Sequence, residues 1–250
     1  MDVDRALERT STPVPVFETD LAQLPEPVSR YLRASGVVGQ PRVHNFRVRM
    51  HGRIRGAPDG RWIPIRGEQH NFVDEPSRLF YFTGSMRGVP LQAYHRYVGR
   101  SATMTVKAAA LVPVARAAGR EMDEGETVTM LNDMCVMAPA SLISPSIEWG
   151  AVDSRTARAT FTNAGHTVHA ELTFNERGEM IDFVSNDRYQ TSPDGRTATR
   201  VRWSTPLRSY RAFGPFRLAS GGQARWHEAA REYAYIELTI DDVQYNVRSR

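Results

Sequence analysis

Asn132 and Asp133 lie side by side in a stretch that is otherwise apolar, where Val128, Leu131, Met134 and Cys135 recur at helical spacing. Amide and carboxylate side chains compete with a helical backbone, so their presence there needs a reason. If this helix covers a cavity, a carboxylate in apolar surroundings has a raised pKa and can serve as a general acid or base. Asp133 bonding or capping a neighbouring loop explains the same residues. A second group follows later in the chain: Arg188, Tyr189, Trp203, Tyr210 and Trp226. Aromatics with one polar tip line the mouths of ligand pockets, although packed core aromatics look the same in a sequence. Arg188 is a partner for Asp133 or for the anionic head group of a ligand. Two candidate sets result. Asp133, Asn132, Arg188 and Tyr210 would be the acid, base and orienting groups of an enzyme; Tyr189, Trp203, Trp226 and Met134 would be ligand contacts.

Other chemistries have thinner support. Of the seven histidines, His166 and His169 are three apart on a strand and face opposite sides. With no HExxH, CxxC or paired helical histidines, no metal is expected. Cys135, the only cysteine, excludes an intrachain disulfide and sits where a free thiol is usually a small buried hydrophobe. No GxSxG elbow, P-loop or GxGxxG stretch is present, so no cofactor is implied. Arg47, Arg49, Arg53 and Arg55 alternate along one strand, which suits phosphate binding or a solvated strand face. No nucleic-acid-binding motif accompanies them, and no nucleic-acid partner is expected.

These residues need elements to position them. Leu24-Pro25-Glu26-Pro27 opens a helix whose stripe is Val28, Tyr31 and Leu32 and whose stop is Gly36. From Val43 the period becomes two: Phe46, Val48 and Met50 oppose Asn45, Arg47 and Arg49. Strand-like runs follow at Glu68 to Val73, Arg78 to Thr83, Leu91 to Val98 and Ala102 to Val106. Within them Leu79 to Phe82 is expected to be covered on both faces. The β pattern breaks between Met122 and Leu142, where Asp123 and Glu126 have capping-box spacing and a helix is expected from about Glu124 to Ala138. Pro139 ends or kinks it. Further strands alternate around Ala157, Ala159 and Phe161, around Val168 to Phe174, and around Ile181 and Phe183. Later ones run over Thr197 to Trp203, Arg217 to His227 and Glu232 to Val247. Turns are expected at Ala57 to Gly60, Asn175 to Gly178 and Ser192 to Gly195.

The expected architecture is mainly β: a single curved antiparallel sheet of ten or eleven strands, half-barrel or barrel. An N-terminal helix precedes it, and one short helix plugs or covers its concave side. Residues 1–23 read as an arm and 24–250 as one domain. The 250 residues are 41% hydrophobic and 24% charged with a net charge of +4, ordinary values for a globular chain. No apolar run reaches the roughly 18 residues of a membrane span. Met1 to Arg9 carries three acidic residues, unlike a secretory leader, so a cytoplasmic location is the default.

Several stretches resemble a large bacterial family catalogued only as a domain of unknown function. They include Leu24-Pro25-Glu26-Pro27-Val28-Ser29-Arg30-Tyr31-Leu32, Leu131-Asn132-Asp133-Met134 and Ala138-Pro139-Ala140-Ser141-Leu142. Ile147-Glu148-Trp149, Asp187-Arg188-Tyr189, Trp203-Ser204-Thr205-Pro206 and Ala224-Arg225-Trp226-His227 continue the pattern. The resemblance spans about Leu24 to Val247, implies one domain and brings no activity. The strand succession is also similar to the curved half-barrel of bacterial lipoprotein carriers, which holds acyl chains. The leading expectation is therefore a module binding a hydrophobic or amphipathic small molecule, such as a lipid-, isoprenoid- or polyketide-like compound, inside a curved sheet. The alternative is a cofactor-independent isomerase, cyclase or hydrolase using Asp133 in the same cavity. A scaffold with a packed core is the third reading.

Overall fold

The computed structural model describes Leu7, residues 14–109, 111–191 and 197–248. Helix α1 (Glu26–Ala34) carries Pro27 in its first turn, and Gly36, at φ 76°, turns the chain out of it. A meander follows: β1 (Asn45–Ile54), β2 (Ile63–Phe72), β3 (Ser77–Met86), β4 (Val89–Val98), β5 (Ser101–Ala108) and β6 (Val112–Ala118). Helix α2 (Arg120–Met137) interrupts it and leads into β7 (Ile147–Ala151), β8 (Thr156–Asn163), β9 (His166–Phe174) and β10 (Met180–Ser185). The chain ends through β11 (Tyr189–Thr191), β12 (Ala198–Arg200), β13 (Arg202–Ser204), β14 (Leu207–Phe213), β15 (Phe216–His227) and β16 (Glu232–Tyr245).

Fourteen of these strands make one antiparallel sheet in the order β6-β5-β4-β3-β2-β1-β16-β15-β13-β10-β9-β8-β7, with β14 on β15; β11 and β12 form a separate ribbon. The sheet is open, ending at β6 and β7. It curves because one helix touches strands far apart in that order: α2 meets β5 and β6 on one wing and β9 and β10 on the other. Expecting ten or eleven strands was too few. β11, β12 and β13 have three residues each, too short to show a period. β6 carries Pro113, which an edge strand tolerates but which argues against a strand in the sequence alone.

The inward sets mostly follow the alternation. Phe46, Val48 and Met50 are buried, as are Ala157, Ala159, Phe161, Val168, Ala170, Leu172 and Phe174. Leu79 to Phe82 is not covered on both faces throughout: Tyr81 points to solvent, and only Leu79 finds a second cluster, with Leu7 and Phe72. Ile181 is exposed, since a register shift between Met180 and Asp182 places Met180 and Phe183 inward. The turns at Ala57 to Gly60 and Asn175 to Gly178 close with backbone bonds of 2.9 and 3.0 Å. The expected turn at Ser192 to Gly195 lies outside the described residues.

Helix α2 begins at Arg120, a turn earlier than the capping-box spacing implies. Asp123 accepts the amide of Ala102 at 2.6 Å instead of capping, and Glu126 faces the interior. From Gly125 to Met137 every residue is buried, polar ones included. Tyr31 of α1 fastens it by donating its hydroxyl to Cys135 O at 2.7 Å. Among the described residues no helix is long and apolar enough to cross a membrane.

Candidate ligand cavity

Helix α2 divides its buried surface. Val128, Leu131, Met134 and Cys135 join the main core, where burial pushes the Cys135 thiol up and keeps it protonated. Glu126, Thr129, Asn132, Asp133, Val136 and Met137 line a cavity of about 260 Å³ between the helix and the concave face of the sheet. The spacing of Glu126, Thr129, Asp133 and Val136 is that of a single helical face.

Strand register arranges the opposite wall in layers. Asn71 pairs with Arg78 and Arg78 with Tyr97; one step along, Gln69 pairs with Phe80, Phe80 with His95 and His95 with Met104. Gly67 and Phe82 form the next layer, and Ile65 and Gly84 the one after. Gly67 is required here, because a Cβ would meet the Phe80 ring at 2.6 Å. Strand β16 adds Ile236, Leu238 and Ile240 to the wall. The cavity therefore runs from a buried polar end at Arg78, Glu126 and Asp133 to a partly exposed apolar mouth at Ile54, Phe82, Leu207 and Leu238.

Arg78 organises the polar end. Its Nε donates to Asp133 Oδ2 at 2.8 Å, Nη1 lies 3.3 Å from Glu126 Oε2, and Nη2 donates to Gln69 Oε1 at 2.9 Å. Arg188 Nη1 donates to Glu126 Oε1 at 3.0 Å and to Gly125 O at 2.7 Å. A side chain at Gly125 would crowd that guanidinium, its Cβ falling 3.3 Å from Nη1. Burial alone would raise the Glu126 pKa, but His95, Arg78 and Arg188 around it hold it down to about 2. Burial lowers the His95 pKa to about 4 against the pull of Glu126, so the ring is neutral at pH 7. The two arginines then carry the balance against Glu126 near neutrality. Arg78 can only donate to His95 Nδ1, at 3.3 Å, so the ring proton sits on Nε2, 3.4 Å from Glu126 Oε2.

Asp133 behaves differently from Glu126. Burial raises its pKa more than Arg78 and Asn71 lower it. Gln69, Asn71 and Arg78 all donate to Oδ2, at 2.8, 3.1 and 2.8 Å, leaving Oδ1 as the oxygen for a ligand. Asn132 donates to Thr205 Oγ1 at 2.7 Å, and both residues line the cavity.

The structure thus brings Asp133, Asn132, Arg188 and Trp203 to the lining of one cavity and leaves Tyr210, Tyr189, Trp226 and Met134 off it. Tyr210 donates to Met180 O, Tyr189 donates to Glu124 Oε2 near Arg200, and Met134 is in the core. Trp226 stacks on Tyr235 with ring centroids 5.3 Å apart, and Tyr235 accepts from Trp203 Nε1 at 3.1 Å. Arg188 pairs with Glu126; Arg78 holds Asp133. Arg78, His95, Gln69 and Glu126 escaped the sequence reading. For Arg78, His95 and Gln69 the signal is a polar residue in the inward phase of a strand, such as Arg78 in phase with Phe80 and Phe82; Glu126 lies on α2.

Two other arrangements have the look of sites. Ser204 Oγ lies 2.8 Å from His227 Nε2, and His227 Nδ1 lies 3.2 Å from Glu232 Oε2, the atom order of a hydrolytic triad. Ser204 is only 2% exposed and alternates with the cavity-facing Trp203 and Thr205, so this chain of bonds ties β13 to β15 and β16 on the other face. The alternating arginines of β1 are a solvated face with cross-strand partners: Arg49 pairs with Asp242 at 3.1 Å and Arg53 with Glu237 at 2.7 Å. Among the described residues no group of three or more His, Cys, Asp or Glu is placed to hold a metal.

Residues 15–238 match the profile of DUF6544, a family of unknown function. No curated protein matches. A LolA-superfamily protein from Nitrosomonas europaea is similar at 12% identity over 87% of this chain and 93% of that one, with a TM-score of 0.46. A DUF1329-family protein from Desulfovibrio piger is similar at 9% identity over 95% and 96%, also with a TM-score of 0.46.

Proposed function

The chain belongs to the DUF6544 family, and from the geometry of its own cavity we propose that it binds a small amphipathic molecule with the polar group innermost. The observation that carries this reading is the layered wall: apolar side chains at the mouth, and Arg78, Glu126 and Asp133 at the buried end. An apolar cavity of roughly 150 Å³ accepts benzene. By that scale 260 Å³ suits on the order of ten non-hydrogen atoms, with room for a longer tail to leave through the mouth. An isoprenoid- or short-acyl-sized ligand fits this better than a whole two-chain lipid. Its head would meet Asp133 Oδ1, Asn132 and Arg188, which fix orientation, while the walls supply the affinity.

Native mass spectrometry of purified protein is expected to show a bound mass that organic extraction removes, and the emptied protein should take up Nile red. Leu238→Trp, which fills the mouth, should abolish uptake. Protein that carries no adduct and takes up no dye overturns the reading.

The raised pKa of Asp133 favours a second reading, a cofactor-independent isomerase, cyclase or hydrolase in the same cavity. Asp133 would move a proton at Oδ1 while Asn132 and Arg188 orient the reacting polar atoms. Asp133→Asn then removes turnover and leaves ligand affinity intact; loss of affinity instead returns Asp133 to a binding role.

A further inference from the structure

Beyond the cavity the concave face of the sheet continues into solvent. The inward phase of β3 runs from Phe80 and Phe82 through Gly84 to Met86, which pairs with Val89 of β4. Leu91 pairs with Ala108, and Ala108 with Val112 of β6. Met86, Val89, Leu111 and Val112 are 47%, 45%, 81% and 59% exposed. They crown two adjoining hairpins at the mouth end, the first turning through Arg87 and Gly88 at φ 52° and 82°. Single exposed apolar residues are normal, but four on adjacent tips beside a cavity mouth mark a contact surface.

Charge says what the surface contacts. From Gly84 to Gln92 and from Met104 to Ala118 the sequence contains Arg87, Lys107 and Arg116 and no acidic residue. The hairpin between β1 and β2, at the same end, adds the exposed Arg61; its one acid, Asp59, is paired with Arg231 Nη1 at 3.0 Å. A second copy meeting this face would bring like charges together. An anionic lipid surface supplies both an apolar layer and phosphates, each basic residue near it contributing attraction that salt weakens.

We propose that these hairpin tips dock on an anionic lipid surface, with Met86, Val89, Leu111 and Val112 entering the apolar layer and Arg87, Lys107 and Arg61 meeting the phosphates. The cavity mouth then faces the bilayer. That consequence rests on the binding function proposed above, whereas the docking itself rests on the tips.

The test is flotation of the full chain with vesicles of phosphatidylcholine alone or mixed with phosphatidylglycerol, with Nile red uptake measured in parallel. The protein is expected to float with the phosphatidylglycerol vesicles at low salt and to stay behind with phosphatidylcholine alone. The pair Val89→Glu with Leu111→Glu, and the pair Arg87→Glu with Lys107→Glu, should each weaken binding at least about tenfold and leave Nile red uptake unchanged. No flotation with phosphatidylglycerol vesicles, variants that float like the parent, or a solution dimer that Leu111→Glu dissociates would each overturn docking. Flotation without dye uptake supports docking and overturns the cavity reading instead.

Discussion

On the wing formed by β7 to β10, alanines and aromatics close on the core, and the polar exception at the inward positions of β8 is Asn163 at its end, which donates to Tyr97 Oη at 2.7 Å. Ala157, Ala159, Phe161, Val168, Leu172 and Phe174 join Val128, Leu131 and Cys135 of α2 in one cluster. On the wing formed by β1 to β5, the inward positions include Asn71, Gln69, Arg78 and His95, and the helix answers them with Glu126 and Asp133. One helix is thus core on one side and site on the other. Apolar packing tolerates small adjustments and closes the first wing. The ionic network needs fixed geometry, and the cavity opens beside it on the second wing.

Substitution at the centre of each wing separates the two modes and should have the largest effects. Phe161→Ala, in the packed wing, is expected to cost about 3–5 kcal/mol through its cavity. Arg78→Leu should cost a similar ~3–5 kcal/mol by leaving two buried carboxylates without their bridging cation. The losses differ in their response to pH. Urea unfolding at pH 7 and pH 5 should show the Arg78→Leu deficit, relative to wild type, shrinking as its stranded carboxylates take up protons. The Phe161→Ala deficit should stay constant. Equal behaviour of the two variants would mean that the wings do not differ in the way described.

The native protein carries its own pH signature on the polar wing. His95 titrates at about 4 when folded and near 6.5 when unfolded, so the unfolded chain binds more protons between those values and stability falls as pH drops through that window. The loss amounts to roughly 3 kcal/mol at 1.36 kcal/mol per unit. Glu126 acts below it: its pKa of about 2 contributes stability above its unfolded value that disappears between about pH 4.5 and pH 2. His95→Gln should flatten the curve between pH 6.5 and pH 4 and also shrink the lower limb, because protonated His95 is the first of the cations that hold Glu126 down. A His95→Gln protein with an unchanged upper limb would remove His95 from the account.

The packed wing was readable in advance because its period-two pattern is clean from Ala157 to Phe161 and again from Val168 to Phe174, and each apolar residue in phase is buried. On the polar wing the sequence signalled Asp133 and Asn132, which break an apolar helix, and Arg188 and Trp203 near them. It did not signal Arg78 or His95. A polar residue on a strand reads as solvent-facing unless its phase with Phe80 and Phe82 is weighed, and the burial of Arg78 against Asp133 and Gln69 shows that it points inward. Glu126 was hidden by its spacing from Asp123, which mimics a cap. Tyr189, Tyr210 and Trp226 share aromatic character with Trp203, yet Tyr189 sits on a three-residue strand and Tyr210 donates to Met180 O. Trp226 pairs with Trp203 and stacks behind the cavity-lining Tyr235. Register is a tertiary property, and a one-residue shift exchanges the faces of a strand.

The smallest effect is expected on the convex face, where Ser204, His227 and Glu232 have triad-like order without access. If their bonds only join β13 to β15 and β16, Ser204→Ala removes one hydrogen bond between partly buried groups and costs about 1 kcal/mol. It should change neither Nile red uptake nor the fluorophosphonate labelling of the protein, which should be absent from the start. A labelled Ser204 would show that local opening exposes this hydroxyl to a substrate carbonyl, and hydrolysis would then belong to the convex face rather than the cavity. Absence of labelling at Ser204, together with dye uptake lost in Leu238→Trp, assigns function to the hollow wing. Glu232 bears on this too: it is held by Arg225 as well as His227, so it is neutralised by a guanidinium before it can orient an imidazole. A carboxylate engaged in that way stabilises a strand edge more than it stabilises a developing imidazolium.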